Sequence, residues 1–196
     1  YLAVAGKFKG TISFPTKSNI ASAGDYDAYL ALISTSTSTT DTTAPNGVAF
    51  GKTLGGTGDD EATSVDFSGS SIYVGGHFEG TAAVDWKLTS ADFRTSAGSQ
   101  DVFLSKFGGA AGTLEWTKTW GGAGSDVAND MAVDRDNNDI YIGGYLGTTA
   151  SDYDPGSGTV MIGGTSGGQG GYDSWISKFN PTGDLQWAKN FGASSH

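Results

Sequence analysis

Short alternations of hydrophobic and polar residues run along the whole chain, and they return in the same order. In "DVFLSKF" (101–107), Val102, Leu104 and Lys106 fall on one side of an extended strand, and Phe103, Ser105 and Phe107 on the other. Neither side is wholly polar, so a strand covered on both faces is expected. "DAYLALI" (27–33) and "DSWISKF" (173–179) repeat this segment. It is preceded each time by a Gly-containing strand: "YLAVAGKFKGT" (1–11), "SSIYVGGHFEGT" (70–81) and "NDIYIGGYLGTT" (138–149). It is followed each time by a third element: "FGKTLGG" (50–56), "WTKTWGG" (116–122) and "WAKNFGA" (187–193). After two of these comes a fourth, "ATSVDF" (62–67) or "ANDMAVD" (128–134).

The repeat therefore predicts four short strands, a to d, in about 66–72 residues. That pattern is all-β: a β-propeller-like array of four-stranded antiparallel blades. Residues 1–56 form a partial blade (strands b-c-d), 57–122 a complete blade, 123–193 a second complete blade, and 194–196 a tail. A Ser/Thr-rich insert (34–47) expands the first c–d turn, and a Gly-rich insert (151–172) expands the third b–c connection. Both are expected at the surface. The array is one strand short of three blades, which implies a larger ring or assembly with neighbouring blades or other copies of itself. A start within a strand at Tyr1 suggests a mature product or an excised piece.

Composition supports the reading. Gly is high at 32 residues, yet 5 Trp, 8 Tyr and 10 Phe supply material for a core that a disordered chain would lack. The formal net charge of −10 makes nucleic acid and anionic membrane poor partners. No stretch is long and apolar enough to be inserted in a membrane as a helix. With no cysteine, disulfides and thiolate metal sites are excluded.

The combination W-x-K-x-[WF]-G-G-x-G-x-D-x-A, a strand ending in "VD", N-x-I-Y-x-G-G and D-x-[FW]-[LI]-S-K-F resembles the bacterial SBBP-type β-propeller repeat family. It covers all three copies outside the inserts. The first copy departs from it, with Leu32 where Lys106 and Lys178 stand. The resemblance implies an extracellular or cell-surface structural or adhesive protein that acts through protein–protein contacts, not an enzyme, with no catalytic residue and no cofactor.

Candidate chemistry is sparse. "GKT" (51–53) is not a phosphate loop, because Lys52 recurs as Lys118 and Lys189 in strand d. His77 matches Lys7 and Tyr145 and reads as a variable polar tip. Asp59, Asp60, Glu61, Asp85, Asp152 and Asp154 are acids that a glycan-active enzyme could use. However, Asp60 recurs as Asp126, and Asp27 as Asp101 and Asp173, which points to acids that fix turns through backbone N–H groups. Trp86, Tyr153 and Tyr172 are candidates for stacking on glycans, whereas Trp116, Trp120, Trp175 and Trp187 are expected in the core. The run "STSTSTTDTT" (34–43) offers O-glycan acceptors. In "DRDNNDIYIGG" (134–144), Asp134, Asp136, Asn138 and Asp139 form a candidate calcium site. The stretch lacks the Gly and Glu of a helix–loop–helix calcium loop, and its counterpart "DFSGSSIYVGG" (66–76) reads as a hairpin turn. A glycan- or calcium-binding module is thus the alternative to the structural reading.

Overall fold

The computed structural model describes residues 1–14, 17–35, 47–86, 92–109, 111–147, 150–163 and 172–192. The described residues are all-β, without an α-helix, and their sheets are antiparallel. The alternating segments all become strands.

The first sheet orders β1 (Leu2–Phe8), β4 (Asp27–Ile33) and β5 (Val48–Gly56) side by side. The second runs β6 (Glu61–Ser68), β7 (Ser71–Ala83), β8 (Phe93–Gly108) and β9 (Thr113–Trp120). The third repeats that order with β10 (Val127–Val133), β11 (Ile140–Leu146), β14 (Asp173–Phe179) and β15 (Leu185–Phe191). In each, consecutive strands pair with their sequence neighbours, as short connections favour.

Between the second and third strands of the repeat, each unit sends out a ribbon. It consists of β2 (Thr11–Ile12) with β3 (Ile20–Ala21) in the first unit and β12 (Ser151–Asp152) with β13 (Met161–Ile162) in the third. In the second unit the ribbon is continuous with β7 and β8, where Thr81–Ala83 pair with Phe93–Thr95. These ribbons alter the surface-loop expectation for 151–172: Ser151, Tyr153 and Ile162 are buried. They also join two units, since Gly55 and Gly56 pair with Ala83 and Ala82. The first and second sheets are therefore hydrogen-bonded at one corner rather than wholly separate. Residues 36–46 of the Ser/Thr insert, 164–171 of the Gly-rich insert and 194–196 of the tail lie outside the described residues.

Two cores lie between the sheets. The first holds Leu30, Leu32 and Leu54 of sheet one against Val74, Phe103 and Phe107 of sheet two. The second holds Tyr73, Leu104 and Trp120 of sheet two against Met131, Ile142 and Trp175 of sheet three. Sheet two is thus covered on both sides, and Asp101 to Ser105 are buried without a break. Its counterpart β14 at the end of the stack alternates instead, with Asp173, Trp175, Ser177 and Phe179 buried and the residues between them less so.

The first-strand side chains tie the second and third sheets together. Thr63 Oγ1 donates to the Ala128 carbonyl at 2.9 Å and Ser64 Oγ to Asp130 Oδ1 at 2.8 Å. Asp66 accepts from the Val133 N–H at 2.9 Å and from the Arg135 guanidinium at 2.8 Å. Both first strands carry a bulge at the same place, between Ala62 and Ser64 and between Ala128 and Asp130.

Candidate functional site

The repeated acids converge on the two junctions between sheets. At the first, Asp60 Oδ2 accepts the Gly56 N–H at 2.9 Å and Oδ1 accepts the Glu79 N–H at 3.1 Å. Its own N–H donates to the Tyr26 carbonyl at 2.7 Å. Beside it, Asp27 Oδ2 accepts the Ala23 N–H at 2.9 Å, and its carboxyl lies on Gly55, where an added Cβ would come within 2.4 Å of Cγ. The second junction repeats the plan. Asp126 accepts the Gly122 N–H at 2.7 Å and donates its N–H to the Gln100 carbonyl at 2.7 Å, while Asp101 accepts the Ala97 N–H at 3.1 Å. Tyr153 adds a hydroxyl donor to Asp126 Oδ1 at 2.9 Å.

All four carboxyls are buried. Loss of hydration raises their pKa, and the backbone N–H groups only partly oppose it. Asp27 and Asp101 are pushed up to about 6 and Asp60 to about 7, and Asp126 is raised. Within each pair the like charge of the neighbour adds to the rise: Asp27 on Asp60, and Asp126 on Asp101. Such a pair can store a proton: Asp60 and Asp126 spend their oxygens on N–H and O–H donors, whereas Asp27 Oδ1 and Asp101 Oδ1 are buried without a hydrogen-bond partner among the described residues.

The hairpin that carries Asp134, Asp136, Asn138 and Asp139 closes by its own hydrogen bonds. The Asp134 N–H donates to the Asp139 carbonyl at 2.8 Å and the Asn138 N–H to the Asp134 carbonyl at 2.7 Å. Asp134 Oδ1 accepts the Asp136 N–H at 3.0 Å. Asn138 adopts a positive φ of 64°, a conformation Asn tolerates, and its Oδ1 is bonded to the Ser68 hydroxyl of the neighbouring sheet. Asp139 forms an ion pair with Lys178 at 2.7 Å. The four residues thus share a turn, and side-chain oxygens of Asp134, Asn138 and Asp139 have partners within the protein. Among the described residues, no three His, Cys, Asp or Glu side chains are grouped so as to hold a metal ion.

The aromatic candidates divide differently from expectation. Trp86 and Tyr153 are not available for stacking on a glycan, because both are buried. Trp86 reaches from the ribbon of the second unit into the first core, donates its Nε1–H to Ser105 Oγ at 2.8 Å and meets Phe103 and Phe107 edge-on. Tyr153 does the same in the third unit, against Trp175. In the first unit the half-buried Phe14 lies over Gly51. Only Tyr172 of the three candidates is exposed, with its ring on Tyr145 at 4.9 Å. Of the expected core tryptophans, Trp120 and Trp175 are buried, while Trp116 and Trp187 are half-buried.

His77 is no polar tip: it is buried, and loss of hydration lowers its pKa. Glu61, beside Asp59 and Asp60 in the acid cluster, pairs with Lys7 across the first junction at 2.7 Å. Asp152 Oδ1 accepts the N–H groups of Asp154 and Val160, and Asp154 accepts that of Gly156. An apolar recess of about 370 Å³ lies between Tyr1, Leu32, Phe67 and Ile72, with Ser70 among its few polar neighbours.

The recurrence of Asp27 and Asp60 as Asp101 and Asp126 was the signal for the junctions, but the pairing of acids from consecutive units is visible only in three dimensions. No protein-family model and no curated protein matches this chain.

Proposed function

We propose that this chain is a run of SBBP-type β-propeller blades that serves as an extracellular or cell-surface structural and adhesive element, working through contacts and assembly rather than turnover. The observation that carries the reading is the repeated junction. Two successive pairs of sheets meet through the same residue positions, with an acid pair and a Gly-rich bend at each. A stack built this way can be extended by adding further units, as repeat architectures are.

Four of the six acids offered for a glycan-active enzyme support this order of readings. Asp60, Asp152 and Asp154 spend oxygens on backbone N–H groups, and Glu61 is paired with Lys7. General acid–base chemistry needs a carboxyl within reach of a substrate. Incubating the purified chain with a panel of polysaccharides tests the proposal directly. Release of reducing ends that disappears in Asp59→Asn or Glu61→Gln would overturn it; no release, with unchanged folding of both variants, is the expected outcome.

A further inference from the structure

The two outer faces of the stack are the two halves of its internal junction. Tyr73, Leu104 and Trp116 of sheet two have counterparts in Tyr141, Ile176 and Trp187 of sheet three. In sheet two this face is covered by sheet three, and a Cβ added at Gly75 would meet Ile142 Cδ1 at 2.9 Å. One unit later, the atoms nearest a Cβ at Gly143 belong to Trp175 and Ile176 of its own sheet. Among the described residues, none of the three atoms nearest that position at Gly143 comes from another sheet, unlike the Ile142 seat at Gly75.

Exposure follows the same rule. Phe191 is 60% exposed, although its counterparts Trp120 and Leu54 are 4% and 0%. At the other end of the stack, Leu2 is 53% exposed, against 1% for Ile72 and 0% for Ile140 in the same position. Val4, the counterpart of Ile142, lies beside Leu2 on that face and is only half-buried.

We propose that the open face of sheet three binds the open face of sheet one on a second copy of this chain, head to tail, with Val4 of one copy seated over Gly143 of the other. Each face already has a working partner of the required shape within the molecule, since sheet two presents the first kind of face to sheet three and the second kind to sheet one. The occupant is therefore a β-sheet with small and branched side chains at the Leu2 and Val4 positions, which a second copy supplies. The contact is heterologous, so it leaves one face of each kind open at the ends and can propagate. The proposal rests on the stacked-blade reading of the preceding subsection.

Sedimentation velocity over a concentration series, with the full chain, tests it. The wild-type chain is expected to form dimers and longer species as concentration rises. Phe191→Asp and Leu2→Asp, which each place a charge in the contact, should each weaken association by about tenfold or more while leaving the circular dichroism of the chain unchanged. An equimolar mixture of the two variants should restore a one-to-one dimer and nothing larger, because one intact face of each kind remains. A wild-type chain that stays monomeric at its highest soluble concentration would overturn the proposal. So would a mixture that fails to pair, or a Leu2→Asp chain that associates like wild type. Ile142→Ala separates this failure from failure of the underlying reading. A melting temperature lowered by several degrees leaves the internal junction standing, whereas no change would remove the junction itself.

Discussion

At Gly76 a side chain has no room. Its Cβ would lie 2.0 Å from the Glu61 carbonyl oxygen and 2.7 Å from the Phe103 ring. Gly144 repeats the situation, 1.9 Å from the Val127 carbonyl oxygen. Both glycines face the bulge of the first strand, so the clash is with backbone that cannot rotate away. Gly76→Ala is expected to cost about 3 kcal/mol or more, read as a lower urea midpoint at unchanged slope. Of the double Gly in sheet two, Gly75 lies against Ile142 of the neighbouring sheet, and Gly76 serves its own sheet. Trp86 gives a second residue-scale prediction. Trp86→Phe keeps most of the packing and loses the bond to Ser105, costing about 1 kcal/mol, whereas Trp86→Ala empties a core site and costs about 3–5 kcal/mol. Urea unfolding of both variants checks the ordering. Nothing local marked Trp86 as buried: it follows an Asp in a polar connection and has a positive φ of 60°. Its burial depends on where the ribbon folds back, which alternation along one strand does not encode.

At the scale of elements, the acid pairs make the junctions sensitive to pH. A raised native pKa means that the folded chain holds protons that the unfolded chain has released. The resulting stability is fully present below the ordinary carboxylate value of 3.8 and is lost as pH rises through the folded values of about 6 to 7. His77 has the opposite sign, because its lowered pKa makes the folded state lose stability as pH falls below 6.5. Four acids outweigh one histidine, so the chain should be more stable at pH 5 than at pH 8, by an amount on the order of a few kcal/mol. Asp60→Asn removes a carboxyl pushed up to about 7 and should flatten the dependence; a slope identical to wild type in thermal melts across this range would refute the assignment. Tyr153→Phe acts at the second junction. Without the hydroxyl donor on Asp126, its charged form loses support, so the loss of stability toward pH 8 should steepen. The strands themselves were legible, because period-2 patterning in "DVFLSKF" and its copies is a property of short segments. The ribbons β2–β3 and β12–β13 were not, since two-residue strands carry no period. The turn at Asp134–Asp139 was legible as a hairpin from its Ser/Gly counterpart, whereas the engagement of Asp139 by Lys178 depends on a strand 39 positions later (178 − 139).

For the whole molecule, position in the stack should set local stability more than sequence does. The segments "DVFLSKF" and "DSWISKF" differ little, yet among the described residues the first sits in a sheet covered on both faces and the second in one covered on a single face. In a stack of repeats, stability is approximately the sum of each unit and its contacts with neighbours, so the middle unit has two such terms and each end unit one. Opening sheet two must break both cores at once. Opening sheet three needs only the second core and the bonds from Thr63, Ser64 and Asp66. Native-state hydrogen exchange should therefore show Val102 to Phe107 exchanging only through global unfolding, and Trp187 to Phe191 on the edge strand exchanging through a smaller, local opening. Asp66→Ala, which removes the acceptor for Val133 and Arg135, should speed exchange in β10 and β11 and leave β4 unchanged. Uniform exchange free energies across the three sheets would mean that the chain unfolds as one unit, and that its junctions are not separable in the way the repeat implies. Uneven protection would instead tie the strength of each sheet to the number of neighbours it has, which is the property that lets such an array grow by adding copies.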